Sequence, residues 1–143
     1  MKLKDLLEVV DPMQDISLEI AELTAPEGIY AKDIQKLRPM AVEMEVVDVH
    51  TAWYSGEDSI ETTLGVVVTG GVKVMRKLFE ENFTIDEMSE MWYGWDNEGL
   101  LYGWENGEAG EVYNILEENG YNMDSIKIMY GAFVTLGELV GAI

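Results

Sequence analysis

Apolar residues along this chain follow two different periods, and the change from one to the other divides it. Leu3, Leu6, Leu7 and Val10 recur at helical spacing. The short helix they predict stops at Asp11-Pro12, because proline pushes the residue before it out of the α region. Ile16, Leu18 and Ile20 then alternate with Ser17 and Glu19, the period of a half-buried strand. Pro26-Glu27-Gly28 reads as a turn, and Ala31 to Leu37 as two turns of helix with Ile34 and Leu37 inward, ended before Pro39. From Ala41 to Trp53 the chain is rich in valine and alternates as a strand. Ser55-Gly56-Glu57-Asp58 has turn chemistry, and Ser59 to Val68 forms the second arm of a long hairpin. The first half therefore reads α-β-α-β-β.

After Thr69-Gly70-Gly71 the spacing turns helical. Val74, Met75, Leu78 and Phe79 share one face of a helix over 72–81. Thr84-Ile85-Asp86-Glu87 is a capping-box pattern that opens a second helix, with Ile85, Met88 and Trp92 on its inner side. Asn106 is placed to cap a helix running to about Glu118, with Val112, Ile115 and Leu116 inward and Asn119-Gly120 closing it. Asp124 would cap a last helix carrying Ile126, Met129, Tyr130, Phe133 and Val140; residues 126–130 also read as a strand. Tyr93-Gly94-Trp95-Asp96-Asn97 is echoed by Tyr102-Gly103-Trp104-Glu105-Asn106. This repeat is too short for a solenoid, and its simplest reading is a hairpin turning at Asp96-Asn97-Glu98-Gly99 with aromatics paired across it. Its alternative is an aromatic recognition surface. The fold class is α+β: an N-terminal α-β-α-β-β subdomain over 1–69 packed with a mainly helical, acidic subdomain over 70–143, the two forming either separate subdomains or one compact domain.

Charge changes the picture more than any motif does. The 143 residues carry 9 basic and 28 acidic side chains, a formal net charge of −19, and no cysteine. That excludes a disulfide framework, a thiolate nucleophile and any cysteine-based metal site. It also argues against direct binding to nucleic acid or to an anionic membrane, both of which call for clustered Lys and Arg. The first ten residues lack the uncharged core of a signal peptide, and the ten uncharged residues from Ile128 to Gly137 are too few to span a bilayer. A cytoplasmic location is the expectation. Between Lys77 and Lys127 lie 49 residues with 13 acids and no Lys or Arg; between Arg38 and Lys73 lie another 34 with six acids. Solubility of a small domain needs a net charge of only about 2–8 in magnitude. The basic cluster Lys73-Arg76-Lys77 shares its helix with Glu80 and Glu81, which are spaced to pair with it.

Catalytic and metal motifs are sparse. Asp48 and His50, the single histidine, stand at i and i+2 on the predicted strand, where they would suit a metal or a base with its orienting carboxylate. Val42, Met44 and Val46 occupy the same side, which favours a hydrogen-bonded histidine at the edge of the core. Asp96-Asn97-Glu98 offers oxygens to calcium but lacks the spacing of a calcium loop, with Gly107 where a bidentate Glu belongs. Gly137 and Gly141 permit close packing. No catalytic residue, metal or cofactor is expected, and the chain reads as a binding protein rather than an enzyme.

Carboxylates at i and i+2 on a strand, such as Glu43 and Glu45, stand about 7 Å apart, and helical i, i+4 pairs such as Asp86 and Glu90 about 5–6 Å. Both approach the separation of successive phosphates along a nucleic-acid strand. The segment from Lys4 to Pro12, with the strand that follows it, resembles short proteins carried by bacterial phages and other mobile elements. In charge, size and lack of cysteine the chain is similar to antirestriction and anti-CRISPR proteins. That resemblance implies an inhibitor occupying the basic nucleic-acid groove of a host defence protein such as a nuclease, in the cytoplasm of the host cell. The expected partner-binding residues are Asp86, Glu87, Glu90, Asp96, Glu98, Glu105, Glu108, Glu111 and Glu118, with Trp95 and Trp104. The alternative is an acidic adaptor or self-associating structural protein, a homodimer among its forms, that binds through the segment from Trp92 to Trp104.

Overall fold

The computed structural model describes residues 1–55 and 60–143, and the side chains of these apart from 54, 55, 60 and 61. The predicted hairpin turn falls largely on 56–58, outside the described residues. The fold is α+β, with its strands in the N-terminal half and most of its helices in the C-terminal half. The chain divides into two compact units, Met1–Gly71 and Val72–Ile143.

The first unit holds α1 (Leu3–Val9), β1 (Asp15–Ile20), β2 (Glu27–Tyr30), α2 (Ala31–Leu37), a short 3-10 turn at Pro39–Ala41, β3 (Glu45–Ser55) and β4 (Ile60–Thr69). The strands lie in the order β2-β1-β4-β3; β1 and β4 are parallel and the other two pairs antiparallel. One face of the sheet is apolar. Ile16, Leu18 and Ile20 of β1, Ile29 of β2 and Val66 and Val68 of β4 are buried, as are Leu3, Leu6, Ala31 and Ile34 of the two helices. The turn read at Pro26-Glu27-Gly28 is instead the entry to β2. Four residues containing a glycine carry almost no strand signal of their own, and pairing with β1 in the register Ile16↔Ile29 and Ser17↔Gly28 makes them a strand. Arg38 closes this edge with a two-pronged ion pair, Nη2 to Glu27 Oε1 at 2.5 Å and Nε to Oε2 at 3.0 Å, in a partly buried setting.

The predicted strand from Ala41 begins only at Glu45, because the 3-10 turn and the bends after it occupy 39–44. A register shift between Val46 and Asp48 then reverses its alternation: Val46 lies opposite Val68, but Asp48 lies opposite Val67 and His50 opposite Gly65. Asp48 and His50 therefore leave the side occupied by Val46.

The second unit is helical: α3 (Gly71–Asn82), α4 (Ile85–Glu98), α5 (Leu100–Asn106), α6 (Gly110–Glu118) and α7 (Ile126–Leu139). Residues 126–130, read two ways from sequence, are helix, with Ser125 rather than Asp124 at the cap. Burial in α7 falls on Ile128, Met129, Ala132 and Leu136, whereas Ile126 and Tyr130 are exposed. Ile85, expected on the inner side with Met88 and Trp92, is exposed at the start of α4. Asn106 ends α5 rather than capping the helix that follows it.

The aromatic repeat is not a hairpin. Gly99 (φ 98°) ends α4 and the chain restarts at once as α5, which stops at Gly107 (φ 113°). Two residues apart in a strand means the same face; in a helix of 3.6 residues per turn it means nearly opposite faces. Tyr93 and Tyr102 accordingly stand in solvent while Trp95 and Trp104 point inward, 0% and 8% exposed. The two indoles stack at 5.5 Å with 15° between their planes. Trp95 Nε1 donates to the Leu100 carbonyl at 2.6 Å, and Trp104 meets the ring of Tyr113 edge-on. The repeated glycines do different work. A methyl group at Gly103 would stand 2.5 Å from Trp95 Cδ1, whereas one at Gly94 would meet only the Glu108 carboxylate, the free end of a flexible side chain.

A prediction follows from this contrast. Gly103→Ala should lower unfolding stability by about 1–3 kcal/mol through overpacking against Trp95, while Gly94→Ala should be neutral or stabilising, by up to about 1 kcal/mol from helix propensity. Urea denaturation of the two variants compares them; equal losses would contradict the packing described.

Candidate carboxylate interface

All nine carboxylates singled out from sequence are exposed. Among the described residues none of them joins an ion pair; the pairs in this unit are Arg76 with Glu80 and Glu138, and Lys77 with Glu81. On α4, Asp86 and Glu90 lie one turn apart, with Tyr93 and Asn97 continuing the same stripe. Buried Met88, Trp92 and Trp95 form its opposite side. Glu105 extends from α5, Glu108 lies between helices with its carboxylate over Gly94, and Glu111 and Glu118 mark the two ends of α6. Helix α5 packs against both α4 and α6, so the structure gathers these groups on one consecutive run of helices.

Position along each helix divides the nine by energetic character. Asp86 and Glu87 stand in the first turn of α4 and Glu111 in the first turn of α6, where the helix dipole favours negative charge. Glu87 has a structural task as well. It accepts the Thr84 backbone N–H at 3.0 Å while Thr84 Oγ1 accepts the Glu87 N–H at 3.1 Å, completing the capping box. The backbone bond from Thr84, aided by the Thr84 side chain, holds the Glu87 carboxyl below the usual range. Asp96 and Glu98 end α4, Glu105 ends α5 and Glu118 ends α6, with no basic residue in any of these last turns. There the dipole opposes a carboxylate, at a cost of about 0.3–1 kcal/mol per group at low salt.

Trp95 and Trp104, expected among the contact residues, form the core that joins α4 to α5 and are not on this surface. The exposed apolar side chains of the segment are Tyr93, Leu101 and Tyr102. The sequence offered a signal for this, since Tyr and Trp two apart within a helical pattern separate to opposite faces.

The N-terminal acids are arranged differently. Glu43 lies before β3, so it and Glu45 do not form the predicted strand pair. Glu43 accepts from Lys2 at 2.9 Å and pairs with Lys4 at 3.0 Å, and Glu45 receives the Met1 α-amino group at 3.2 Å. Hydrogen bonds from Lys2 and Lys4 hold the Glu43 carboxyl low, and its bond to Glu43 holds the Lys2 ammonium high. These charges are compensated within the chain. Asp48 Oδ2 meets His50 Nδ1 at 2.7 Å on the solvent-facing side of the sheet, not at the core edge. Among the described residues no group of three or more His, Asp or Glu side chains is placed to hold a metal ion. None of their helices is long and apolar enough to cross a membrane. No family model, curated protein or solved structure matches this chain.

Two outcomes are expected. Changing Asp96, Glu98, Glu105 and Glu118 together to their amides should raise the melting temperature at low salt, and the gain should shrink at about 1 M salt, where the Debye length is about 3 Å; a fall in stability would show that these groups are needed for folding. The Glu87 contribution has the opposite pH sense to a basic group. Its folded pKa lies below its unfolded value, so its stabilisation is complete above the unfolded pKa and is lost as pH falls through the folded one. Melting curves of wild type and Glu87→Ala should therefore differ at neutral pH and converge in acid.

Proposed function

We propose that the chain is a non-enzymatic binding protein whose carboxylate surface on α4, α5 and α6 occupies a basic groove of a partner, in the manner of a nucleic-acid mimic. The observation that carries this reading is the placement of Asp96, Glu98, Glu105 and Glu118. Each sits at a helix C-terminal turn without a neighbouring cation, where its charge opposes the fold. Solubility is served as well by acids placed at N-terminal turns or paired with lysine. A surface kept negative against the stability of its own helices is suited to a partner that supplies the missing cations. Resemblance in charge and size to antirestriction and anti-CRISPR proteins points the same way, toward a nucleic-acid-binding host protein such as a nuclease in the host cytoplasm.

The competing reading is an adaptor or self-associating protein that uses the same segment through its aromatic residues. Burial of Trp95 and Trp104 removes its strongest anchors and leaves Tyr93, Leu101 and Tyr102 to carry it. The two readings separate in one experiment. Wild-type protein and the fourfold amide variant are immobilised and exposed to bacterial lysate at about 50 and 200 mM salt, a range over which multiple phosphate-type contacts lose orders of magnitude in affinity. Wild type should retain basic nucleic-acid-binding proteins at the lower salt only, and the variant should retain none. Equal retention by both, lost instead in Tyr93→Ala/Tyr102→Ala, would establish the adaptor.

A further inference from the structure

The face of the sheet opposite the apolar core is open and has a floor of small residues. Gly28, Ser17 and Gly65 stand opposite one another across β2, β1 and β4; the His50 ring of β3 lies over Gly65, so the uncovered part of the row is Gly28 and Ser17. The row beside it brings Tyr30 opposite Asp15 and Thr63 opposite Ala52. A cavity of about 520 Å³ lies over this floor, lined by Asp15, Ser17, Gly28, Tyr30, Thr63 and the β3 pair Ala52 and Trp53. That volume is in the range of small-molecule sites. It lies within the N-terminal unit and shares no residue with the carboxylate surface of the helices.

The chemistry of the lining is selective. Among the described residues Asp15 is its single carboxylate, and no Lys, Arg or His lines it. The Asp15 side chain is half-buried and, among the described residues, receives no hydrogen bond and joins no ion pair, although the Asp15 carbonyl is engaged by the Thr63 hydroxyl at 2.5 Å. Its Oδ1 leans over Gly28, 3.8 Å from where a Cβ would stand. A half-buried carboxylate facing a cavity with an aromatic ring on one side has the chemistry of a counter-ion for a cation. The Ser17 hydroxyl offers a neutral acceptor beside it.

We propose that this trough binds a small organic ammonium ion, with Asp15 as its counter-ion, Ser17 as a second acceptor and the Tyr30 ring against its carbon skeleton. Gly28 keeps the floor open. Its φ lies outside the positive region, and an added side chain meets nothing closer than Asp15, so a larger residue there fills the trough without straining the strand.

The test uses the full chain and phenethylammonium chloride as probe, with 2-phenylethanol as its neutral counterpart and ionic strength held constant with NaCl. Amide NMR shifts of Ser17 and Gly28 report occupancy, and emission from Trp53, 68% exposed at the rim, gives a second reading. The ammonium should bind saturably below about 10 mM and the alcohol should not. Asp15→Asn should weaken binding at least about tenfold, the loss of one charge-assisted bond. Gly28→Leu should abolish it while leaving the far-UV spectrum and melting curve unchanged. Diffuse attraction to a chain of charge −19 would barely respond to the removal of one carboxylate, so the Asp15→Asn result distinguishes a built site from the general field. The proposal is overturned by non-saturating shifts, by equal binding of the alcohol, or by wild-type affinity in Asp15→Asn. If Gly28→Leu fails to fold, the Asp15→Asn and alcohol arms decide the matter alone.

Discussion

Mutual repulsion among the carboxylates of α4, α5 and α6, which no lysine or arginine among the described residues relieves, is the constraint around which the C-terminal unit is built. The 49 residues between Lys77 and Lys127 contain 13 acids, and every one named as a contact residue stands in water. Helices carrying such charge gain little from their own surfaces, so their cohesion has to come from the inside. The aromatic core supplies it. Trp95 stacks on Trp104, Phe133 meets Trp92 and Trp95, and Trp92 Nε1 donates to the Phe133 carbonyl at 3.0 Å. Glycines make these approaches feasible: Gly103 lies under Trp95, and a Cβ at Gly137 would stand 2.7 Å from Trp92 Nε1. Large flat rings against bare backbone give extensive apolar burial from few residues, which leaves the outward positions free to remain acidic.

The N-terminal unit answers the same composition in another way. Its acids at 43 and 45 are matched by Lys2, Lys4 and the Met1 α-amino group, and Glu27 by Arg38. One face of its sheet is conventional core. The other is floored by glycine and serine, with a bulge at Val47 that sends Asp48 and His50 to that side. Each half pairs a few of its acids, the C-terminal one at Glu80, Glu81 and Glu138, but the carboxylates of α4, α5 and α6 have no cation partner among the described residues.

Much of this was legible in the sequence wherever a local signal and a tertiary demand agree. The periodicity of Leu3 to Val10, the alternation of Ile16 to Ile20 and the Thr84–Glu87 capping box each dictated the element that forms. Failures came where a distant partner decides. Strand β2 exists because β1 offers an edge to Glu27–Tyr30, and nothing within those four residues announces it. The bulge in β3 inverts the side on which His50 lies, and a one-residue insertion leaves no trace in composition. In the Tyr-Gly-Trp repeat, pairing across a hairpin and stacking between two helices both bring aromatics together, and the choice rests on Gly99 taking a positive φ that ends one helix where the next begins. The acidic residues of the candidate surface were legible by charge alone, because uncompensated carboxylates have no stable place except solvent. The tryptophans were misassigned because composition does not distinguish a buried ring from an exposed one.

Side-chain carboxyl carbon NMR tests group by group whether this displayed charge is the proposed recognition surface. The chain, labelled at Asp and Glu, is titrated with a short arginine-rich peptide at about 50 mM salt, where screening is weak. Carboxyl resonances of Glu90, Asp96, Glu98, Glu105 and Glu118 should shift together and saturate at one affinity, while those of Glu43 and Glu45, already paired, stay in place. Uniform small shifts over all 28 acids, or shifts confined to the N-terminal unit, would contradict the account.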